Sequence, residues 1–280
     1  LKDAAASGDY VAALRRSAQV AAAVRRAPEH AALLLADLAR FANEGAFASL
    51  LAIETIVEIR DERATAVLVD ALSHSEPVVR RHAAWRLRSR PAVAQGIEPL
   101  VDLLTAGGID TMHAHRTLRR WATTDRGTIT VHTAQALAGA VEPDVRARLV
   151  DLMGALGGLA ADDLLAQVAG DPAELAPARI AAIGALGTRP GRPFTAELRR
   201  LAMLDDDIGA HAALALDQRT EEAHEAANDR RGDGLRIVQL ALSGHLDGRL
   251  SRGGRGETGG VSSLLVSLGQ ALARRADVDH

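Results

Sequence analysis

Asp61-Glu-Arg-Ala-Thr-Ala-Val-Leu-Val-Asp-Ala-Leu-Ser-His-Ser-Glu-Pro-Val-Val-Arg-Arg-His-Ala-Ala-Trp-Arg-Leu87 reads as two amphipathic helices and the turn between them. Ser73-His-Ser75 makes the turn, and Glu76-Pro77 restarts the chain. Proline lacks an N–H, so the first turn of a helix is where it costs least. Two features of this stretch return along the chain. Glu142-Pro-Asp-Val-Arg146 repeats the start of the second helix, and Val101-Asp-Leu-Leu104 answers Val69-Asp-Ala-Leu72.

The recurrence is periodic. Arg80, Arg146 and Arg179 fall on one 33-residue grid, with His113 and Ala212 at its other points. Gly154-Ala-Leu-Gly157 and Gly184-Ala-Leu-Gly187 are 30 apart, and Ala134-Gln135 and Ala166-Gln167 are 32 apart, so turns vary by a few residues. Val145, Leu149, Leu152, Met153 and Leu156 share one helical face, as do Ile97, Leu100, Val101 and Leu104 in a second helix. Gly107-Gly108, Gly157-Gly158 and Gly187 punctuate turns. The pattern predicts helix pairs at 47–73, 77–107, 109–141, 144–169 and 175–204, a last helix at 207–219, and N-terminal capping helices within 1–46.

A period near 33 admits several repeat architectures. The Thr-Pro-Leu-His phrase of ankyrin repeats is missing, and so is the Trp-Gly-Tyr framework of tetratricopeptide repeats. Proline, valine-arginine, paired alanines and leucine in the quoted stretch resemble a HEAT repeat of the short, phycobilisome-lyase-like kind. The resemblance covers about residues 47–219. It implies an all-α solenoid, a superhelix of helical hairpins over 47–220, and a protein partner along its concave groove. It implies no particular activity.

Composition narrows the function classes. Apolar residues make up 48% and charged residues 25%, the balance of a folded globular chain. Aromatics are only 2%, so the core is built from Ala, Leu, Val and Ile. A net charge of −3 supplies no global basic field for nucleic acid. The absence of cysteine excludes disulfides, thiolate metal sites and cysteine catalysis. No apolar run is long enough to cross a membrane and no charged-apolar-small leader opens the chain, so the expected location is cytoplasmic. The chain opens on Leu1, and a trimmed start is expected.

The pattern changes at about residue 234. A linker, 221–234, is free to begin as an extension of the last helix. Leu235–Leu242 is then nearly continuous apolar, as in a buried parallel strand. Residues 243–260 hold seven glycines, and Val261, Leu264, Leu265, Leu268 and Leu272 form a helical stripe. Glycines before a helix N-terminus suit a phosphate. Gly254, Gly256 and Gly259 satisfy G-x-G-x-x-G formally, but about a dozen residues separate them from the strand, where a dinucleotide fold has a tight turn.

Ser243-Gly-His245, Glu257-Thr-Gly-Gly260, Leu264-Leu-Val-Ser-Leu-Gly-Gln-Ala-Leu-Ala273 and Val278-Asp279 together resemble the start of a retaining GT-B glycosyltransferase of the sucrose-synthase and sucrose-phosphate-synthase type. Glu257 stands where that family has aspartate. The resemblance implies that 235–280 is the first β-loop-α of a Rossmann-like domain, cut short at His280. It implies that Gly259 and Gly260 approach the phosphates of a nucleotide-sugar donor, with Thr258 and His245 beside them. The parent would be a larger sugar transferase, the rest of whose domain would be a further partner. This portion, without the second nucleotide-binding half, would be inactive and would need no cofactor.

Other candidates have structural readings. His113 and His115 are two apart on a helix and point to different faces, a poor metal pair; His115 reads as a hydrogen-bonded core residue. Asp205-Asp206-Asp207 reads as a helix cap. Residues 76–126 hold nine arginines against five acids, with Trp85 and Trp121 among them. Inter-repeat packing for the tryptophans and solvated faces for the arginines is the preferred reading. Damaged-DNA binding, with Asp125 as the acidic residue, is the weaker alternative. The sequence therefore leaves two main readings open: the scaffold region of a glycosyltransferase, and a stand-alone interaction scaffold.

Overall fold

The computed structural model describes residues 2–6, 9–27, 30–42, 44–108, 110–189, 192–228, 267–272 and 274. The described residues are predominantly helical and contain no strand. In chain order the helices are α1 (Lys2–Ala6), α2 (Tyr10–Arg26), α3 (Ala31–Phe41), α4 (Ala46–Val57), α5 (Glu62–Asp70), α6 (Pro77–Leu87), α7 (Ala94–Ala106), α8 (Asp110–Trp121), α9 (Arg126–Gly139), α10 (Pro143–Leu156), α11 (Leu159–Gly170), α12 (Ala176–Gly187), α13 (Arg192–Leu201) and α14 (Asp207–Asn228). A 3-10 turn, Ala71–Ser73, follows α5. Contacts divide the chain into two compact units, Leu1–Asp217 and Gln218–His280. Helix 267–272 lies in the second unit, within the stripe expected to be helical. The strand expected at 235–242 and the glycine loop that follows lie outside the described residues, as do Gly259, Gly260, Thr258 and His245.

In the first unit, successive hairpins stack. A first row runs α2, α4, α6, α8, α10, α12, each against the next. A second row runs α3, α5, α7, α9 by the same kind of contact, and α11 packs on α13. Helix α10 also packs on α7, α9 and α11. Within the residues expected to form N-terminal capping helices, α2 packs on α4, and α3 packs on α4 and α5.

Local chemistry sets the helix boundaries. Pro77 and Pro143 sit in the first turns of α6 and α10. Asp9 and Asp61 cap α2 and α5 through Ala12 N–H and Arg63 N–H. Between α10 and α11, Gly157 (φ 69°) and Gly158 (φ 94°) take a conformation that L side chains resist. Gly187 is no turn residue. It is the last residue of α12, and a Cβ there would lie 3.0 Å from Ala215 Cβ on α14. A Cβ on Gly154 would meet Ala185 Cβ at 2.7 Å, so glycine lets α10 and α12 approach closely. The stripe residues Leu149, Leu152, Met153 and Leu156 are buried, and so are Ile97, Leu100, Val101 and Leu104.

The 33-residue arginine grid is a set of clamps. Arg80 Nη1 donates to His74 O and Ser75 O, both at 2.8 Å, just beyond α5 and its 3-10 turn. Arg146 Nη1 donates to Leu137 O at 2.8 Å and Ala140 O at 2.7 Å, at the end of α9, while its Nε donates to Glu174 Oε1 at 2.8 Å. Arg179 Nε donates to Ala169 O at 3.1 Å, at the end of α11. The last carbonyls of a helix have no intrahelical partner, and a cation there also opposes the negative end of the helix dipole. The Arg146 and Arg179 clamps therefore tie a first-row helix to the end of the helix before it, while Arg80 holds the loop that leads into α6.

Candidate functional site

Helices α6 and α8 are neighbours in the first row, joined where Thr117 Oγ1 donates to Ala84 O at 2.7 Å. Val79, Ala83, Ala84 and Leu87 of α6 are buried, as are Ala114, Thr117, Leu118 and Trp121 of α8. Residues advance about 100° around a helix per position. With those faces turned inward, Arg81, Trp85 and Arg88 fall on the α6 edge that borders α8. His113, Arg116 and Arg120, three and seven positions apart, fall on the α8 edge that borders α6. The Trp85 and His113 ring centroids are 6.4 Å apart across the furrow these edges define.

Trp85 is 44% exposed. It meets His113 of the next first-row helix, as the packing reading expected, but its ring is left partly at the surface. The Arg86 guanidinium lies 5.0 Å from the ring centroid, and His82 meets the ring edge-on at 5.4 Å. Such cation–aromatic contact holds the indole in place without covering it. Trp121 does match the packing reading. It is 1% exposed and donates from Nε1 to Arg90 O at 3.0 Å.

Carboxylates bound the furrow on both sides. On the α4 side, Glu54 Oε1 is 2.7 Å from His82 Nε2, and Glu54 Oε2 is 3.2 Å from Arg86 Nη2. The hydrogen bond to His82 and the Arg86 charge hold the Glu54 carboxyl below its ordinary value, against the opposing effect of burial. On the α10 side, His115 Nε2 is 3.0 Å from Asp151 Oδ2. That contact and nearby Arg119 hold Asp151 low as well. His113 and His115 thus face opposite neighbours, and His115 pairs with Asp151. Arg88, Arg116 and Arg120 are exposed and form no ion pair with a described residue.

A group whose carboxyl is held low in the folded state stabilises that state above its unfolded value, and loses this contribution as pH falls through the folded value. For Glu54 the loss therefore starts below about 4.5. Glu54→Gln is expected to show a shallower decline of the urea midpoint between pH 5 and pH 3 than the parent chain, with the two curves closest at the acid end. Parallel curves would remove Glu54 from acid sensitivity.

No family model matches the chain, and no curated protein matches it. Among solved structures, human deoxyhypusine hydroxylase in complex with glycerol aligns at 16% identity over 75% of this chain and 98% of that chain, with a TM-score of 0.36. A likeness of that size carries no argument about fold or activity here.

Several candidates resolve into structural roles. Asp206 Oδ1 accepts from Gly209 N–H at 2.9 Å, capping α14. Asp125 accepts from Thr128 Oγ1 at 2.6 Å at the start of α9. Among the described residues, no cluster of three or more His, Asp or Glu could hold a metal, and no helix is long and apolar enough to cross a membrane.

Arg90 and Arg189 carry roles that the sequence reading missed. Arg90 Nη2 donates to Ile56 O (2.9 Å), Val57 O (2.8 Å) and Ile59 O (2.6 Å), closing α4. Arg189 Nη2 donates to Gly154 O at 2.7 Å, near the end of α10. A signal was present: Arg90-Pro91 and Arg189-Pro190 each follow a first-row helix, three grid periods apart.

Proposed function

We propose that this chain is a HEAT-like helical scaffold that binds a protein partner, with the α6–α8 furrow as its main contact surface. One observation carries the reading: a tryptophan fixed by flanking cationic and aromatic side chains yet left 44% exposed. Large aromatic and arginine side chains dominate the binding energy of protein interfaces, and both meet here.

An unbiased library of random 12-residue peptides displayed on phage, panned against the chain, tests this. Selected peptides should bind Trp85→Ala at least tenfold more weakly, a loss of about 1.4 kcal/mol or more. The variant should unfold at an unchanged urea midpoint, since the removed ring lies outside the core. Equal binding to the variant would move the contact surface elsewhere, and failure to select any binder would count against the scaffold reading itself.

A second reading is supported by the residue phrase at 235–280. In it, the scaffold belongs to a nucleotide-sugar-dependent glycosyltransferase, with Gly259, Gly260, Thr258 and His245 near the donor phosphates. The test is the reading frame of the parent gene. Roughly two hundred further residues with a second nucleotide-binding half are expected after His280, and a frame without them would remove this reading.

A further inference from the structure

Resting on the scaffold reading, we infer that the α6–α8 furrow recognises a short acidic peptide segment bearing one apolar or aromatic side chain. Charge is unevenly distributed over the helices of the stack. Helix α6 carries Arg80, Arg81 and Arg86 and no acid, and α8 carries Arg116, Arg119 and Arg120 against Asp110 alone. Second-row helices α7 and α11 carry Glu98, Asp102, Asp162 and Asp163 and no basic residue. Helices α9 and α13 of the second row are also arginine-bearing, so the contrast is local: over α6 and α8 arginines outnumber acids within a chain of net charge −3.

Arg88, Arg116 and Arg120 are exposed on the facing edges of the furrow, and carboxylates from a partner would be attracted to them. Arginine also favours carboxylate through paired N–H donors. The exposed part of the Trp85 ring supplies the uncharged contact between these cations. One anchoring side chain flanked by acids matches that order along the furrow.

The furrow's dimensions separate a peptide from a nucleic acid. A 12-residue helix such as α8 is about 18 Å long, the span of roughly five extended residues. A duplex would run on across the row. Beyond α6 and α8 it would reach Glu54 of α4 and Asp151 of α10, where His82, Arg86 and His115 are already paired with carboxylates and offer phosphate less. A short segment fits between these carboxylates.

The peptides selected from the random library decide the matter. They should be enriched in Asp and Glu around a Leu, Phe or Trp. By fluorescence anisotropy, their affinity should fall at least tenfold for Arg88→Glu/Arg116→Glu, and also on raising NaCl from 50 to 500 mM. Urea midpoints, and the fluorescence of Trp121 in a Trp85→Ala background, check that the variants fold. Neutral or basic selected peptides that still require Trp85 would overturn this inference and leave the scaffold reading standing. So would binding unaffected by the charge reversal. A 20-base-pair DNA duplex that bound more tightly than the selected peptides at equal salt would overturn it in favour of nucleic acid. Peptides indifferent to Trp85 would overturn both.

Discussion

Trp121→Ala is expected to lower the unfolding free energy by roughly 3–5 kcal/mol, the range for removing a large aromatic side chain from a core. Trp121 is 1% exposed and packs against Gly96, where a Cβ would lie 2.9 Å from the indole. The ring thus fills a space between α7 and α8 that α7 leaves open by carrying glycine, and alanine could not refill it. Its Nε1 also donates to Arg90 O, so truncation strips a buried carbonyl of its partner. Trp121→Phe keeps much of the volume and loses the donor, so it should cost clearly less than Trp121→Ala. Urea midpoints of the three proteins measure this. A loss below about 1 kcal/mol for the alanine variant would show that the site collapses or is hydrated.

Arg90→Met should cost roughly 2–4 kcal/mol, although methionine preserves much of the side-chain bulk. The buried guanidinium donates from one nitrogen to three carbonyls at the end of α4. A bond with a charged partner contributes about 1.5–3 kcal/mol, and three acceptors sharing one nitrogen will not add fully. The larger part of the loss comes from carbonyls left buried with no donor. Burial favours the uncharged form and lowers the Arg90 pKa, and nearby Arg60 adds to the effect. Arg90→Lys should recover only part of the loss, since a lysine ammonium on a different stem reaches the three oxygens less well. The Trp121 and Arg90 substitutions should be non-additive, because the indole bonds the backbone of the residue whose side chain makes the clamp. If Arg90→Met equals the parent, water must satisfy those carbonyls.

Much of the helical architecture was legible in the residues. Apolar positions recurring at helical spacing gave the core faces, as Leu149, Leu152, Met153 and Leu156 show. Pro77 and Pro143 marked two helix starts. The arginine grid was visible as a period, but its purpose was not. Satisfying the carbonyls of another helix is a through-space relation, and only coordinates show Arg146 reaching Leu137 and Ala140. Gly187 misled for a similar reason. A turn and a close helix crossing both call for a residue without a Cβ. Trp85 and Trp121 are the same residue type in the same basic stretch, and one is buried while the other is exposed. Their helical faces separate them, and those faces follow from where neighbouring helices lie. The reading of 235–280 rests on the sequence phrase alone.

The second row is not continuous: α7 packs on α9, but α9 does not pack closely on α11, and α10 reaches across to α7, α9 and α11 instead. In an array held only by neighbouring links, compliance collects at the poorest joint. Load passing along the second row between α9 and α11 is therefore carried through α10, which packs on both.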